Sequence, residues 1–158
     1  MDNSFFKDIF SFKDIAVVGL SPNPARPSNY VSKYMLENGY NIIPVNPGHK
    51  SIFDIECYPS IDRIPHSIDI VNVFRNSKYV LPIIKDALFI KSKVIWLQDG
   101  DESNEGKILS SISGVNFVSL NFIDYVSMAL CMGDNRGGDT SDLLDLPQVV
   151  GVGGRGSF

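Results

Sequence analysis

Residues 14–30 read DIAVVGLSPNPARPSNY. Asp14 to Leu20 is a compact apolar run, the pattern of a strand buried on both faces. After the proline-rich loop, Ser28 is placed to cap a helix over Asn29 to Asn38, and Gly39 supplies its C′ stop. A strand, a glycine and a helix in that order make a cradle for a phosphate. A dinucleotide fold normally places three glycines there, as G-x-G-x-x-G. This loop has Gly19 alone, followed by Pro22, Pro24, Arg26 and Pro27.

Outward from this unit, strands and helices alternate. Phe5 to Phe12 has helical spacing and predicts a short helix over the sheet. Asn41 to Pro47 reads as a second strand, with Pro44 awkward at its centre because proline donates no ladder bond. Gly48 to Pro65 reads as irregular, with one helical turn over Ser60 to Ile64. Ile68 to Phe74 predicts a third strand. A helix from Ser77 to about Ile90 follows, with Val80, Ile83, Ile84 and Ala87 on one face. Lys93 to Gln98 is a fourth strand, Glu102 to Ser111 a polar helix and Val115 to Val118 a fifth strand. The class is α/β: a Rossmann-like three-layer sandwich around a mainly parallel sheet of five or six strands, joined by right-handed crossovers.

The 158 residues suit one domain with a sizeable core. We place it over residues 1–131. Residues 132–158 hold seven of the thirteen glycines without apolar periodicity, and read as a disordered tail. Asp139, Asp142 and Asp145 in that tail do not match a calcium-loop spacing, so no metal is expected. A net charge of −4 argues against a nucleic-acid surface. No apolar run approaches the ~20 residues of a membrane span. The N-terminus lacks the basic start and cleavage site of a signal peptide. Cys57 and Cys131 form no metal or redox pattern, which suits a cytoplasmic protein with inert thiols.

In an open α/β sheet, ligands bind beyond the carboxyl ends of the strands. Gly19, Ser21, Asn23 and Arg26 converge there from the first loop, the arginine with a fork suited to phosphate oxygens. The second strand ends in Val45-Asn46-Pro47-Gly48-His49-Lys50. An NAD site usually ends it in an acid that grips the ribose hydroxyls. Here there is none, and two potential cations lie just beyond, favouring a ribose with an extra phosphate: coenzyme A or NADP. The third strand ends in Val73-Phe74-Arg75, with Phe74 an apolar wall for an adenine. The fourth ends in Trp96-Leu97-Gln98, with Trp96 read as core and Gln98 as a neutral hydrogen-bonder. Asp99, Asp101 and Glu102 read as a solvated helix start. No G-x-S-x-G elbow is present, and no two groups read as an acid and base pair. The sequence therefore points away from catalysis.

Together these residues resemble the small stand-alone CoA-binding proteins, related to the nucleotide-binding domain of the succinyl-CoA synthetase α subunit. The resemblance rests on IAVVGLSPNPARPSNYV, GYNIIPVNPGHKSIFDIECYPSIDRIP, IDIVNVFRNSKYVLPIIKDAL and KVIWLQDG, in the family's order and spacing. It implies that Gly19, Ser21, Pro24 and Arg26 line the diphosphate side. It implies that Asn46, Pro47 and Lys50 sit by the 3′-phosphate ribose, and that Val73, Phe74, Arg75 and Gln98 complete the pocket. Family members commonly follow the fifth strand with a D-R-C-P-like segment; residues 119–125 here read SLNFIDY. The superfamily's ligases need a histidine on a further domain, so ligase activity is not implied. Two other readings stand beside a CoA-binding module: an NADP-dependent oxidoreductase, and a protein-interaction subunit whose pocket no longer binds. A homodimer or a protein partner is compatible with each.

Overall fold

The computed structural model of the chain describes residues 8, 9, 11–97, 106, 108, 109 and 113–119. The tail, Cys131, Gln98, the acidic cluster at Asp99 to Glu102 and most of the residues expected in the two flanking helices lie outside the described residues. Within them, Asp8, Ile9 and Ser11 are helical, and Ile9 is buried in the core. No described helix is long and apolar enough to cross a membrane.

The elements in chain order are β1 (Asp14–Val18), α1 (Pro27–Glu37), β2 (Asn41–Val45), β3 (Ser51–Ile52), β4 (Ile55–Glu56), a 3₁₀ turn (Ile61–Arg63), β5 (Ile70–Val73), a 3₁₀ turn (Ser77–Tyr79), α2 (Val80–Phe89), β6 (Val94–Leu97) and β7 (Asn116–Ser119). Five strands form one sheet in the order β2-β1-β5-β6-β7, and every pairing in it is parallel. The expected α/β Rossmann-like architecture is what the chain adopts. The chain leaves β1 towards one edge and returns to pair β5 on its other side, so the strand order reverses at β1. Ligands of open α/β sheets bind at that kind of reversal.

Two cores cover the sheet, because side chains alternate along a strand. Ile15, Val17, Ile70, Val94, Trp96 and Val118 pack with Val31 and Met35 of α1. Ala16, Val18, Val71, Val73, Ile95 and Leu97 pack with Val80, Ile84 and Ala87 of α2. The helices thus lie on opposite faces, and the layers are helix, sheet, helix. Trp96 is fully buried, as its reading as core required.

Three local features differ from, or resolve, the sequence expectation. Ser28 lies inside α1, which begins at Pro27; Arg26 is its N-cap residue, and no side chain caps it. Proline suits the first helical position, where its missing donor costs nothing. The helix ends as expected: Gly39 has φ +87°, its N–H donates to Leu36 O and the Tyr40 N–H donates to Met35 O, a Schellman closure. Pro44 proves harmless. β2 is the sheet edge, and Asn41 N–H and Val45 O are the groups bonded towards β1. Alternation therefore turns the backbone of Pro44 outward, where its carbonyl accepts from Tyr58 N–H.

The stretch read as irregular contains the β3–β4 hairpin. Its two turn residues, Phe53 and Asp54, have φ of 56° and 57°. A type I′ turn needs positive φ at both central positions and is usually written Asn-Gly or Asp-Gly. Phe-Asp carries no such signal.

The amino end of the sheet is held by a half-buried carboxylate. Asp69 Oδ2 accepts from the N–H groups of Lys13 and Asp14 (3.2 Å each), and Lys93 Nζ donates to Oδ1 at 2.8 Å. Burial pushes this carboxyl up, but the Lys93 bond, the two backbone N–H groups and the lysine charge outweigh it and hold it below its ordinary value. A carboxylate depressed in the folded chain contributes stability above its unfolded value of ~3.9, lost as pH falls through the lower folded one. Asp69→Asn should therefore cost roughly 1–3 kcal/mol at neutral pH, as hydrogen bonds to a charged group do. Urea unfolding at pH 7 and at pH 3 checks this. The gap between wild type and variant should narrow at the lower pH, and an equal gap at both would exclude the charge as its source.

Candidate functional site

β1, β2 and β5 end together. Gly19 N–H donates to Val45 O at 2.9 Å, and Phe74 N–H donates to Val18 O at 2.8 Å. The loops beyond these ends hold most of the residues singled out from the sequence.

Gly19 is required twice. Its φ is +85°, a region L-residues enter at a cost. A Cβ on it would also collide with the Phe74 carbonyl oxygen and stand 3.0 Å from Arg75 Cδ. The close approach expected of a ligand is made here by the neighbouring strand's own backbone.

The loop after Gly19 is braced from within. Ser21 N–H donates to Ser28 Oγ at 3.0 Å, so the serine expected as a cap holds the loop instead. Asn29 Nδ2 donates to Ser21 O at 2.8 Å. Ser21 Oγ accepts from Asn23 N–H, and Asn23 Oδ1 from Ala25 N–H. These are short side-chain turns of the kind Ser and Asn make. Pro24 and Arg26 are exposed, and Arg26 makes no ion pair with a described residue. The first turn of α1 holds no acidic residue, so nothing there opposes an anion at its N–H groups.

Asn46 ties two loops together. Its Nδ2 donates to Leu20 O at 3.0 Å and its Oδ1 accepts from Gly48 N–H at 2.9 Å. The amide expected by the ribose is thus engaged at both ends. Behind it, Asn46 O accepts from the Cys57 thiol at 3.4 Å. Burial pushes that thiol up, and the Asn46 bond offsets part of the rise. A buried thiol of raised pKa is a poor nucleophile. Pro47, His49 and Lys50 are exposed, and the Lys50 ammonium pairs with no described carboxylate.

A cleft of about 190 Å³ opens between these loops and α2, lined by Gly19, Asn46, Pro47 and Arg75 together with Pro59, Ser60, Ile61, Ile83 and Asp86. Four of the residues named from the sequence meet there. Val73 is fully buried in the α2-side core and lends the site its strand, not its side chain. Phe74 packs on the α1-side core, across the sheet from the cleft, because alternation along β5 turns it away from the face of Val71 and Val73. The apolar side chains that line the cleft are Pro47, Pro59, Ile61 and Ile83. Arg75 is exposed, with its guanidinium 5.0 Å from the Tyr79 ring centre. Ser21, Pro24, Arg26 and Lys50 do not line the cleft, and Gln98 lies outside the described residues.

Sequence reasoning missed the far wall. Ser60 and Ile61 stood in the one helical turn read over Ser60 to Ile64, which is the 3₁₀ turn at Ile61–Arg63, but no site role was given to them, and Ile83 was read as core alone. Asp86 follows Ile83 by three positions on α2, hence on the same face, and that spacing was the available signal. Asp86 is exposed at the rim of the cleft; partial desolvation and then the Asp62 carboxylate push its carboxyl up.

Comparison with known proteins bears on the whole site. A family model described as "CoA binding domain" matches residues 13–123. The "Uncharacterized protein YneT" of Bacillus subtilis is 44% identical over 88 residues, covering 56% of this chain and 65% of that protein. The "Acetate--CoA ligase [ADP-forming] II" of Archaeoglobus fulgidus is 32% identical over 103 residues, which are 63% of this chain but 15% of the ligase. A solved structure, a "hypothetical protein from Pyrococcus horikoshii OT3", superposes with a TM-score of 0.73 at 33% identity, covering 77% of this chain and 86% of that one. The chain thus spans under two thirds of both curated relatives.

Gly19→Ala should destabilise by about 2–5 kcal/mol, adding left-handed strain to a collision with Phe74. Gly39→Ala has the same positive φ but nothing within 4 Å of the added Cβ, so it should cost only about 1–2 kcal/mol. Denaturant midpoints of the two variants check this, and equal losses would remove the collision from the account.

Proposed function

The chain belongs to the CoA-binding domain family, and from that membership we propose that it binds coenzyme A or an acyl-CoA at the carboxyl edge of its sheet. One observation carries the reading to these residues. Arg26, Lys50 and Arg75, from the loops after β1, β2 and β5, are all exposed and make no ion pair with a described carboxylate. In a chain of net charge −4, three such cations around one strand-end cleft suit a ligand with several phosphates.

In this reading Gly19, Ser21, Pro24 and Arg26 flank the diphosphate, beside the uncapped start of α1. Asn46 holds the Pro47 to Lys50 turn so that Lys50 meets the 3′-phosphate. Arg75, the strand end at Val73 and Phe74, and Gln98 complete the site. The prolines at 22, 24 and 27 stiffen the loop and reduce the ordering lost on binding. We assign no catalytic step to these residues. The binding unit is taken to span residues 1–131, with 132–158 as an appended tail, in a cytoplasmic protein free to pair with itself or a partner.

Calorimetric titration with CoA, 3′-dephospho-CoA and NADP tests this. CoA should bind, and removing either the 3′-phosphate or the Lys50 ammonium (Lys50→Ala) should weaken binding by ~1–3 kcal/mol. The two losses should not add, because they remove one contact. A preference for NADP accompanied by hydride transfer would replace this reading with a reductase. Absence of nucleotide binding would replace it with a protein-interaction role.

A further inference from the structure

The cleft is too small for a whole cofactor. Its volume of about 190 Å³ falls short of the roughly 300–1,000 Å³ of pockets that enclose drug-sized ligands. It has room for one ring system, with the remainder of a ligand lying over the loops outside. Pro47, Pro59, Ile61 and Ile83 give that ring apolar walls.

The polar groups facing it are unevenly matched. Ser60 donates its hydroxyl hydrogen to Asp62 Oδ1, so its Oγ presents lone pairs. The Asp86 carboxylate makes no ion pair with a described residue and, when ionised, only accepts. Asn46 belongs to the loop after β2, where its Nδ2 donates to Leu20 O and its Oδ1 accepts from Gly48 N–H. Arg75, the one cationic donor among the lining residues, extends towards the Tyr79 ring. The wall formed by the 3₁₀ turn and α2 therefore offers acceptors set in apolar surface, and a ring seated against it must bring its own hydrogen-bond donor. The 6-amino group of adenine is such a donor. Hypoxanthine carries an oxygen at that position and would set acceptor against acceptor.

We propose that Asp86, assisted by Ser60, reads the 6-amino group of the adenine ring and is a specificity-determining residue of this site. The proposal rests on the CoA reading above and adds to it a selection among bases. The 3₁₀ turn gives Ser60 its fixed orientation through Asp62, and α2 holds Asp86 one turn from Ile83, which packs along the same ring.

The test is calorimetry on the full chain with CoA and with its deaminated analogue, in which hypoxanthine replaces adenine. Wild type should prefer CoA by roughly tenfold or more, the discrimination of one well-placed base contact. Asp86→Asn should bring the two ligands to within about threefold, because a carboxamide can donate to the oxygen as well as accept from the amine. Lys50→Ala should weaken both ligands alike and leave their ratio unchanged. Equal affinity of wild type for both ligands, or an unchanged ratio in Asp86→Asn, would overturn the base-reading role and leave the CoA reading standing. Failure of wild type to bind either ligand would overturn both.

Discussion

The arrangement of the site depends on how closely three strands end. At Gly19 the backbone turns out of the sheet with a positive φ, beneath the carbonyl of Phe74. The flanking bonds, Gly19 N–H to Val45 O and Phe74 N–H to Val18 O, bring the ends of β2, β1 and β5 level. No side chain fits at that crossing, so the loops after all three strands open in one place. Asn46 then fixes two of them to each other, donating to Leu20 O and accepting from Gly48 N–H. Much of the polar chemistry expected to meet a ligand instead shapes the loops that present it, which makes the edge preorganised and limits the ordering that binding would require.

The two ends of the sheet treat charge differently. At the amino end, cations are engaged: Lys93 pairs with Asp69 and lies 4.7 Å from the Phe12 ring centre, and Lys13 lies 4.3 Å from that of Tyr40. Asp14 Oδ1 accepts from Asn41 Nδ2. At the carboxyl end, Arg75 lies 5.0 Å from the Tyr79 ring centre, whereas Arg26 and Lys50 stand exposed with no ion pair to a described residue. An opposed pair needs no ligand, whereas an exposed cation beside a cleft can gain one. The parallel sheet produces this division because all strands begin at one edge and end at the other, so the paired charges and the unpaired ones fall on different loops.

Much of this was legible in the chain itself. Apolar runs of strand length at Asp14, Asn41, Ile68, Lys93 and Val115 located all five sheet strands, because burial on both faces leaves a continuous apolar signature. Gly39 marked its helix end for the same reason it occupies it, a positive φ. Ser28 was misread because serine suits a cap, but Pro27 starts the helix two residues earlier than expected and frees the hydroxyl to accept from Ser21. The hairpin at Phe53 and Asp54 was invisible because Phe53 disfavours the left-handed region it occupies and Asp54 has no glycine beside it to mark the turn.

The sequence alone thus determined the alternation of strand and helix, the single glycine at the first turn and the absence of an acid after the second strand. These are properties of consecutive residues, set by local sterics and by which side chains water excludes. Tertiary structure decided what faces what. Phe74 turned to the far side of the sheet, Asn46 became a brace, and Pro59, Ile61, Ile83 and Asp86 came together as a wall from two separate segments. Such a surface is an outcome of packing between elements, and spacing along the chain encodes it only through the fold.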